Sequence, residues 1–366
     1  MIQTQDFTKG VIWKQLLFFF FPILIGSFFQ QLYNTVDTII VGQAVGTSAL
    51  AAVGSTGNLT NLIVNFYVGL STGASVVIAQ YYGAQNNKKI HQAVHTSYIL
   101  AIVSGILMML FGLFFSYQCL DAIGTPHDIL NDATLYMQLY FLCMIPGAIY
   151  NIGAGILRAV GDSKRPLYYL IVCSIVNVVF DFIFVVIFHQ GIAGAAIATV
   201  IAQSVCAILV TIQLMRTNEV YKLTLSKMKF HLPVLKKIIM IGAPAGIQST
   251  MYSISNIVLQ SHINAFGTQT IASWSVYVKI DALFWMMIAA IGAAITTFAG
   301  QNYGAHLHDR IKKGTRTALA MAFVMTISIS TILCLTGSYI TRLFSSDPHI
   351  IEECYSLMLF LMPFYF

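Results

Sequence analysis

The chain has 366 residues, 57% of them hydrophobic and 9% charged, with a formal net charge of +6. A soluble globular domain carries about 25% charged residues, so this composition, with a mean hydropathy of +0.78, excludes an ordinary water-soluble fold. The six cysteines have no CxxC spacing and the nine histidines no HExxH pairing, which leaves no basis for a disulfide framework or a metal centre.

Met1 to Gly10 are polar and lead into an apolar run too long for a cleavable signal, with no A-x-A site after it, so the first segment reads as a retained transmembrane helix. About 20 helical residues cross the ~30 Å hydrocarbon layer, and ten apolar spans are expected at 13–42, 50–80, 94–117, 131–156, 167–188, 191–215, 237–263, 270–299, 317–340 and 350–366. Turn signals separate them: Gly83-Ala84-Gln85-Asn86-Asn87, Gly124-Thr125-Pro126, Gly161-Asp162-Ser163, Gly267-Thr268 and Ser345-Ser346-Asp347-Pro348. The chain stops at Phe366 inside span 10, with no polar flank, so a truncated chain is expected.

Acidic residues inside apolar spans cost on the order of 2.5–3.5 kcal/mol at the bilayer centre, which makes them functional candidates. In span 1, Asp37 has Tyr33 and Asn34 one turn back on its own helix face and Gln30 a turn further, a polar stripe on an apolar helix. Pro22 lies in the same span and is a candidate bend, because proline removes a helical hydrogen bond. In span 5, Asp181 follows Asn177 by one turn and Ser174 by two. A carboxylate beside a carboxamide offers hard oxygen ligands to a cation or a titrating site for a proton; a structural hydrogen bond between helices is the alternative. Thr199 in span 6 is a third oxygen, on the small-residue helix Gly191-Ile192-Ala193-Gly194-Ala195-Ala196, which lets a neighbour approach closely. The short His189-Gln190-Gly191 connection makes spans 5 and 6 antiparallel neighbours and puts Asp181 and Thr199 at similar depth. Gln30, Tyr33, Asn34, Asn151 and Gln203 are candidate cavity residues. Asp281 and Lys279 lie early in span 8, where snorkelling at the interface is as reasonable as function.

Positive charge orients the chain. With the N-terminus cytoplasmic, Lys9, Lys14 and the loops after spans 2, 4, 6 and 8 place 17 of the 19 Lys/Arg on one side, the loop after span 6 alone holding Arg216, Lys222, Lys227, Lys229, Lys236 and Lys237. Such a basic surface is the cytoplasmic face of a membrane protein, not a nucleic-acid site.

The second half echoes the first. Gln80-Tyr81-Tyr82-Gly83-Ala84 returns as Gln301-Asn302-Tyr303-Gly304-Ala305 after 221 residues, and the same shift puts Gly46-Thr47 on Gly267-Thr268. Pro22 falls near Pro244 and Pro146 near Pro363. Two six-helix lobes in parallel relation are expected, typical of transporters with a central site between lobes. The lobes would be 1–215 and 237–366, joined by a cytoplasmic loop at 216–236, with two helices of the second lobe absent.

At these residues the sequence resembles the MATE (multidrug and toxic compound extrusion) family. The carriers are Arg158-Ala159-Val160-Gly161-Asp162-Ser163-Lys164-Arg165-Pro166, then Asn177 and Asp181, then Gly191 to Ala196, with Asp37 and the Gln80 to Ala84 motif. The resemblance implies an all-α polytopic membrane protein of the plasma membrane, a monomer and not an enzyme. It would export amphipathic, often cationic, small molecules in exchange for Na⁺ or H⁺, with no cofactor beyond that ion. It maps a cation site onto Asp37, Asn177, Asp181 and Thr199. A branch of the family carries a glutamate in span 7; none stands between Glu219 and Glu352 here, so the resemblance is to the bacterial and archaeal DinF-like branch, coupling through the first lobe. A lipid-linked precursor flippase of the related exporter group is the nearest competitor. It would line its cavity with basic residues, and past Lys14 spans 1, 2, 3, 5 and 6 contain none. An intramembrane enzyme would need paired catalytic groups that are not present, and a scaffold would leave the intramembrane acids unexplained.

Overall fold

In this computed structural model, residues 5–342 and 347–365 are described. The Ser345-Ser346 half of the last turn signal, Met1–Thr4 and Phe366 lie outside them. The described residues form eleven α-helices: α1 Ile12–Ala44, α2 Thr47–Gly83, α3 Asn87–Ala122, α4 His127–Phe141, α5 Met144–Ala159, α6 Lys164–Asp181, α7 Gly191–Arg216, α8 Leu232–Ile263, α9 Thr268–Gly304, α10 His308–Arg342 and α11 Pro348–Leu361. Without water in the bilayer core every backbone amide must be satisfied within its own segment, which is why apolar runs of this length fold as helices. Seven helices among the described residues are long and apolar enough to cross a membrane, eight if α4 and α5 count as one span.

The expectation of ten uniform spans is corrected in three places. Span 4 is two helices, bent by 44° at a break after Phe141. Pro146, third in α5, has no N–H for the carbonyl of Leu142 and its ring clashes with that turn. Span 5 does not run as one α-helix, since α6 ends at Asp181 and a π-helix covers Phe182–Ile187. Spans 7 and 10 fall short of the apolar test: the C-terminal half of α8 carries Gln248, Ser253, Asn256 and Gln260, and α11 has only 14 residues.

The repeat is visible in the backbone. Gly46 and Gly267 cap the starts of α2 and α9 with φ of 112° and 97°, a region that only glycine enters freely. Pro22 and Pro244 sit inside α1 and α8, both of which continue through them. The break after Phe141 recurs after Leu361, where α11 gives way to a 3-10 turn holding Pro363.

The repeat motifs also meet each other. A Cβ on Gly83 would fall 1.8 Å from the Gln301 carbonyl oxygen, and one on Gly304 would fall 1.8 Å from the Gln80 carbonyl oxygen. This reciprocal contact is what a two-fold relation between lobes requires. Further along, α2 and α8 touch backbone to backbone, Gly69 on Gly246 and Gly73 on Gly242. The N-terminal segment ties the same end together: Phe7 N–H donates to Gln301 Oε1 at 3.1 Å, Gln301 Nε2 to the Ala159 carbonyl at 2.8 Å, and Arg310 Nε to the Phe7 carbonyl at 2.9 Å. Thr224 of the inter-lobe connection pairs with His95 of α3, and Lys89 and Lys237 both lie over the Tyr81 ring. The basic loops thus gather at one end of the molecule, where the lobes are closed on each other.

Candidate functional site

The first-lobe site is assembled by α1, α4, α6 and α7. Asp37 comes from α1, and Asp181 from the last position of α6, where the helix changes from α to π. A π turn inserts an extra residue into the hydrogen-bond ladder, and such turns are frequent at functional sites. Asp37 and Asp181 lie close enough for the charge of each to act on the other. Asp37 Oδ1, both oxygens of Asp181 and Asn177 Oδ1 are buried with no hydrogen-bond partner. Asn177 and Asp181 are both fully buried. Each unmet buried acceptor costs about 1–3 kcal/mol, more when charged, and two carboxylates this close also repel. Four buried oxygens on three neighbouring residues are thus left without donors among the described residues.

The other expected residues fall around this centre. Asn177 Nδ2 donates to Thr199 Oγ1 at 3.4 Å, and Thr199 donates in turn to the Ala195 carbonyl at 3.1 Å. The short connection between α6 and α7 makes this pairing possible: His189 and Gly191 adopt φ of 52° and 58°, and Gln190 N–H caps the Phe184 carbonyl at 2.9 Å. Tyr33 is buried, and its hydroxyl receives Gln203 Nε2 at 3.4 Å. Ser174 donates to the Phe29 carbonyl of α1 at 3.4 Å, holding α6 against α1.

Two cavity candidates lie elsewhere. Asn34, one turn from Asp37, is exposed on α1. Asn151 turns its amide back to the Gly147 carbonyl at 2.9 Å, and its own carbonyl accepts from Ser71 of α2. Pro22 is buried inside an unbroken α1, fifteen residues before Asp37. Two residues that sequence reasoning missed belong here. Tyr136 and Tyr140 of α4 stack at 6.1 Å; Tyr136 is close enough to feel the charge of both aspartates, and Tyr140 that of Asp37. The only sequence signal was their i, i+4 spacing, which in an apolar span looks like ordinary core.

A second feature lies between the lobes. Beyond Gly69 and Gly246, α2 and α8 diverge around a cleft of about 470 Å³ lined by Asn61 and Asn65 on one side and Tyr252, Ser253, Asn256 and Gln260 on the other. Asn65 Nδ2 reaches Ser253 Oγ across it at 3.1 Å. Its lining is uncharged, and it opens at the end away from the basic loops. Asp281, for which snorkelling and function were equally reasonable, accepts from the Tyr365 hydroxyl at 2.6 Å within the second lobe.

A MatE family model matches residues 22–183 and 244–366. The chain belongs to the MatE family. Curated relatives agree with this assignment: the probable multidrug resistance proteins YoeA and YpnP of Bacillus subtilis (strain 168) are 27% and 26% identical over 97% and 99% of this chain, which covers 78% and 82% of their lengths. The multidrug export protein MepA of Staphylococcus aureus (strain NCTC 8325 / PS 47) is 22% identical over 96% of the chain and 77% of its own length. Among solved structures, MATE in the bent conformation superposes with a TM-score of 0.91 at 25% identity, over 99% of this chain and 81% of that one. A MOP superfamily transporter from Pyrococcus furiosus Vc1, described as having a binding pocket of reversed polarity, matches equally well over 99% and 82%. The protein is therefore a multi-pass MATE-type transporter, not an intramembrane enzyme, with the all-helical two-lobed fold of that family.

Proposed function

We propose that this protein is a secondary antiporter of the cell membrane. It exports amphipathic, cationic organic compounds in exchange for Na⁺ or H⁺, with its N-terminus and basic loops in the cytoplasm. The observation that carries the proposal is the cluster of donorless buried oxygens on Asp37, Asn177 and Asp181, with Thr199 beside it. One Na⁺ or one proton would neutralise much of the charge of the pair. A cationic cargo drawn by the same carboxylates would then exclude the coupling ion, and exchange follows from competition for shared charge. Relatives named as multidrug resistance and export proteins support a small-molecule cargo. The uncharged cleft disfavours a pyrophosphate-bearing lipid cargo, which would call for basic residues.

Proteoliposomes loaded with ethidium and given a Na⁺ or a H⁺ gradient separately are the test. Transport driven by at least one gradient, and abolished in Asp37→Asn at normal protein levels, is expected. Transport indifferent to both gradients, or intact in Asp37→Asn, would remove the ion pair from the mechanism.

A further inference from the structure

The lobe boundary at the basic end carries charge that the exchange scheme above does not use. Lys89 Nζ, from the first turn of α3, and Lys237 Nζ, from the second turn of α8, lie 5.6 and 5.5 Å from the centroid of one ring, that of Tyr81 near the end of α2. Both lysines are exposed. One belongs to the first lobe and the other to the second, so closing the lobes brings two ammonium groups onto the same tyrosine. A third cation, Lys227 of the connection between α7 and α8, lies close enough to His91 of α3 for its charge to act there. That connection is pinned to α3, since Thr224 pairs with His95 and His231 N–H donates to Thr96 Oγ1 at 3.2 Å. No carboxylate answers these charges. Among the described residues Lys89, Lys227 and Lys237 form no salt bridge, and from Arg216 to Lys237 six Lys/Arg stand against a single acid, Glu219.

Just beyond the lysines, α8 turns apolar surface outward. Ile239 and Met240 follow Lys236 and Lys237 by three residues, on the same helix faces, and are 41% and 65% exposed. A soluble anion has no use for that surface. A phospholipid brings a phosphate for the lysines and acyl chains for the residues beyond them. We propose that Lys89, Lys227 and Lys237, gathered around Tyr81, form a headgroup site for an anionic phospholipid at the lobe boundary. Basic residues at a membrane surface attract anionic lipids in general; this cluster differs in drawing its members from both lobes. A phosphate between them turns mutual repulsion into attraction to a shared partner, so the bound lipid stabilises the closed arrangement.

Phosphatidylglycerol and phosphatidylcholine with the same chains, titrated separately into the purified full chain in uncharged detergent, test the site, with the melting temperature as the readout. Phosphatidylglycerol should raise the wild-type melting temperature more than phosphatidylcholine does. Lys89→Gln combined with Lys237→Gln should need on the order of tenfold more phosphatidylglycerol for the same shift. Lys89→Arg combined with Lys237→Arg should keep the wild-type response, as should Lys312→Gln combined with Lys313→Gln at the start of α10. Lys237→Gln alone, at an exposed position, should need severalfold more lipid and keeps the test decisive if the double variant does not fold. Equal responses to the two lipids, or a wild-type response in Lys237→Gln, would overturn the site. Equal weakening in Lys312→Gln with Lys313→Gln would mean diffuse attraction to the whole basic face and would overturn it too. A shift of the same size from inorganic phosphate alone would assign the lysines to a soluble anion and overturn the lipid.

Discussion

Asp37 and Asp181 are acids within apolar helices, and no protein donor faces Asp37 Oδ1 or either Asp181 oxygen. Had the pair served only to tie α1 to α6, one of the neighbouring hydroxyls would be expected to donate to it. Thr199 instead spends its hydrogen on the Ala195 carbonyl and Ser174 spends its own on Leu170 and Phe29. Asp181→Asn should therefore fold with a melting temperature at or above that of the wild type, because a repelling charge has been removed, yet lose the stabilisation that Na⁺ or protons confer. If the variant unfolds while residual protein still transports, the pair is structural. Tyr136→Phe keeps the ring packed in its apolar cluster with Val41, Val185 and Ile192 and removes only the hydroxyl beside the carboxylates. We expect cation affinity to fall severalfold in a ligand-dependent melting assay, with the unliganded melting temperature unchanged.

Among the helices, α2 sets the relation between lobes, since it packs on α8 and α9 through glycine contacts that admit no side chain. A methyl group at Gly83 would meet a backbone oxygen at 1.8 Å, and a backbone cannot swing aside as a side-chain tip does. Gly83→Ala should cost about 1–3 kcal/mol of stability in the closed arrangement, the usual range for overpacking, and should push the lobes apart at the basic end. Gly147→Ala is the matched control, for nothing lies within 4 Å of a Cβ there. Denaturation in detergent should separate the two variants; equal stability would mean that the reciprocal contact does not hold the lobes.

For the whole molecule, closure at the basic end and a cleft at the other describe a transporter open to one side. On the orientation proposed above, from the charge asymmetry, the closed end faces the cytoplasm. Lys227 lies in the connection between α7 and α8, so Lys227→Cys should resist an impermeant maleimide in intact cells and react after permeabilisation. Ready labelling from outside would invert the topology.

Composition and order along the chain determined a good deal by themselves. An apolar fraction of 57% leaves helices as the solution. The Gln80 and Gln301 motifs announced two lobes, and lone acids in apolar runs pointed to Asp37 and Asp181 because the bilayer makes such residues costly wherever the helix packs. The tertiary structure decided what depends on the approach of separate segments. That Asp37 meets Asp181 rather than lipid follows from the packing of α1 on α6. Tyr136 joins them from α4, which ends at Phe141 ahead of a 44° bend, and hydropathy along a span does not register the direction of a bend. Asp281 could be read from its depth either as interfacial or as functional; its partner Tyr365 is 84 positions away, and only folding brings such a pair together. The π turn after Asp181 had no sequence signal, because its cost is met by the neighbours that α6 acquires in the folded lobe.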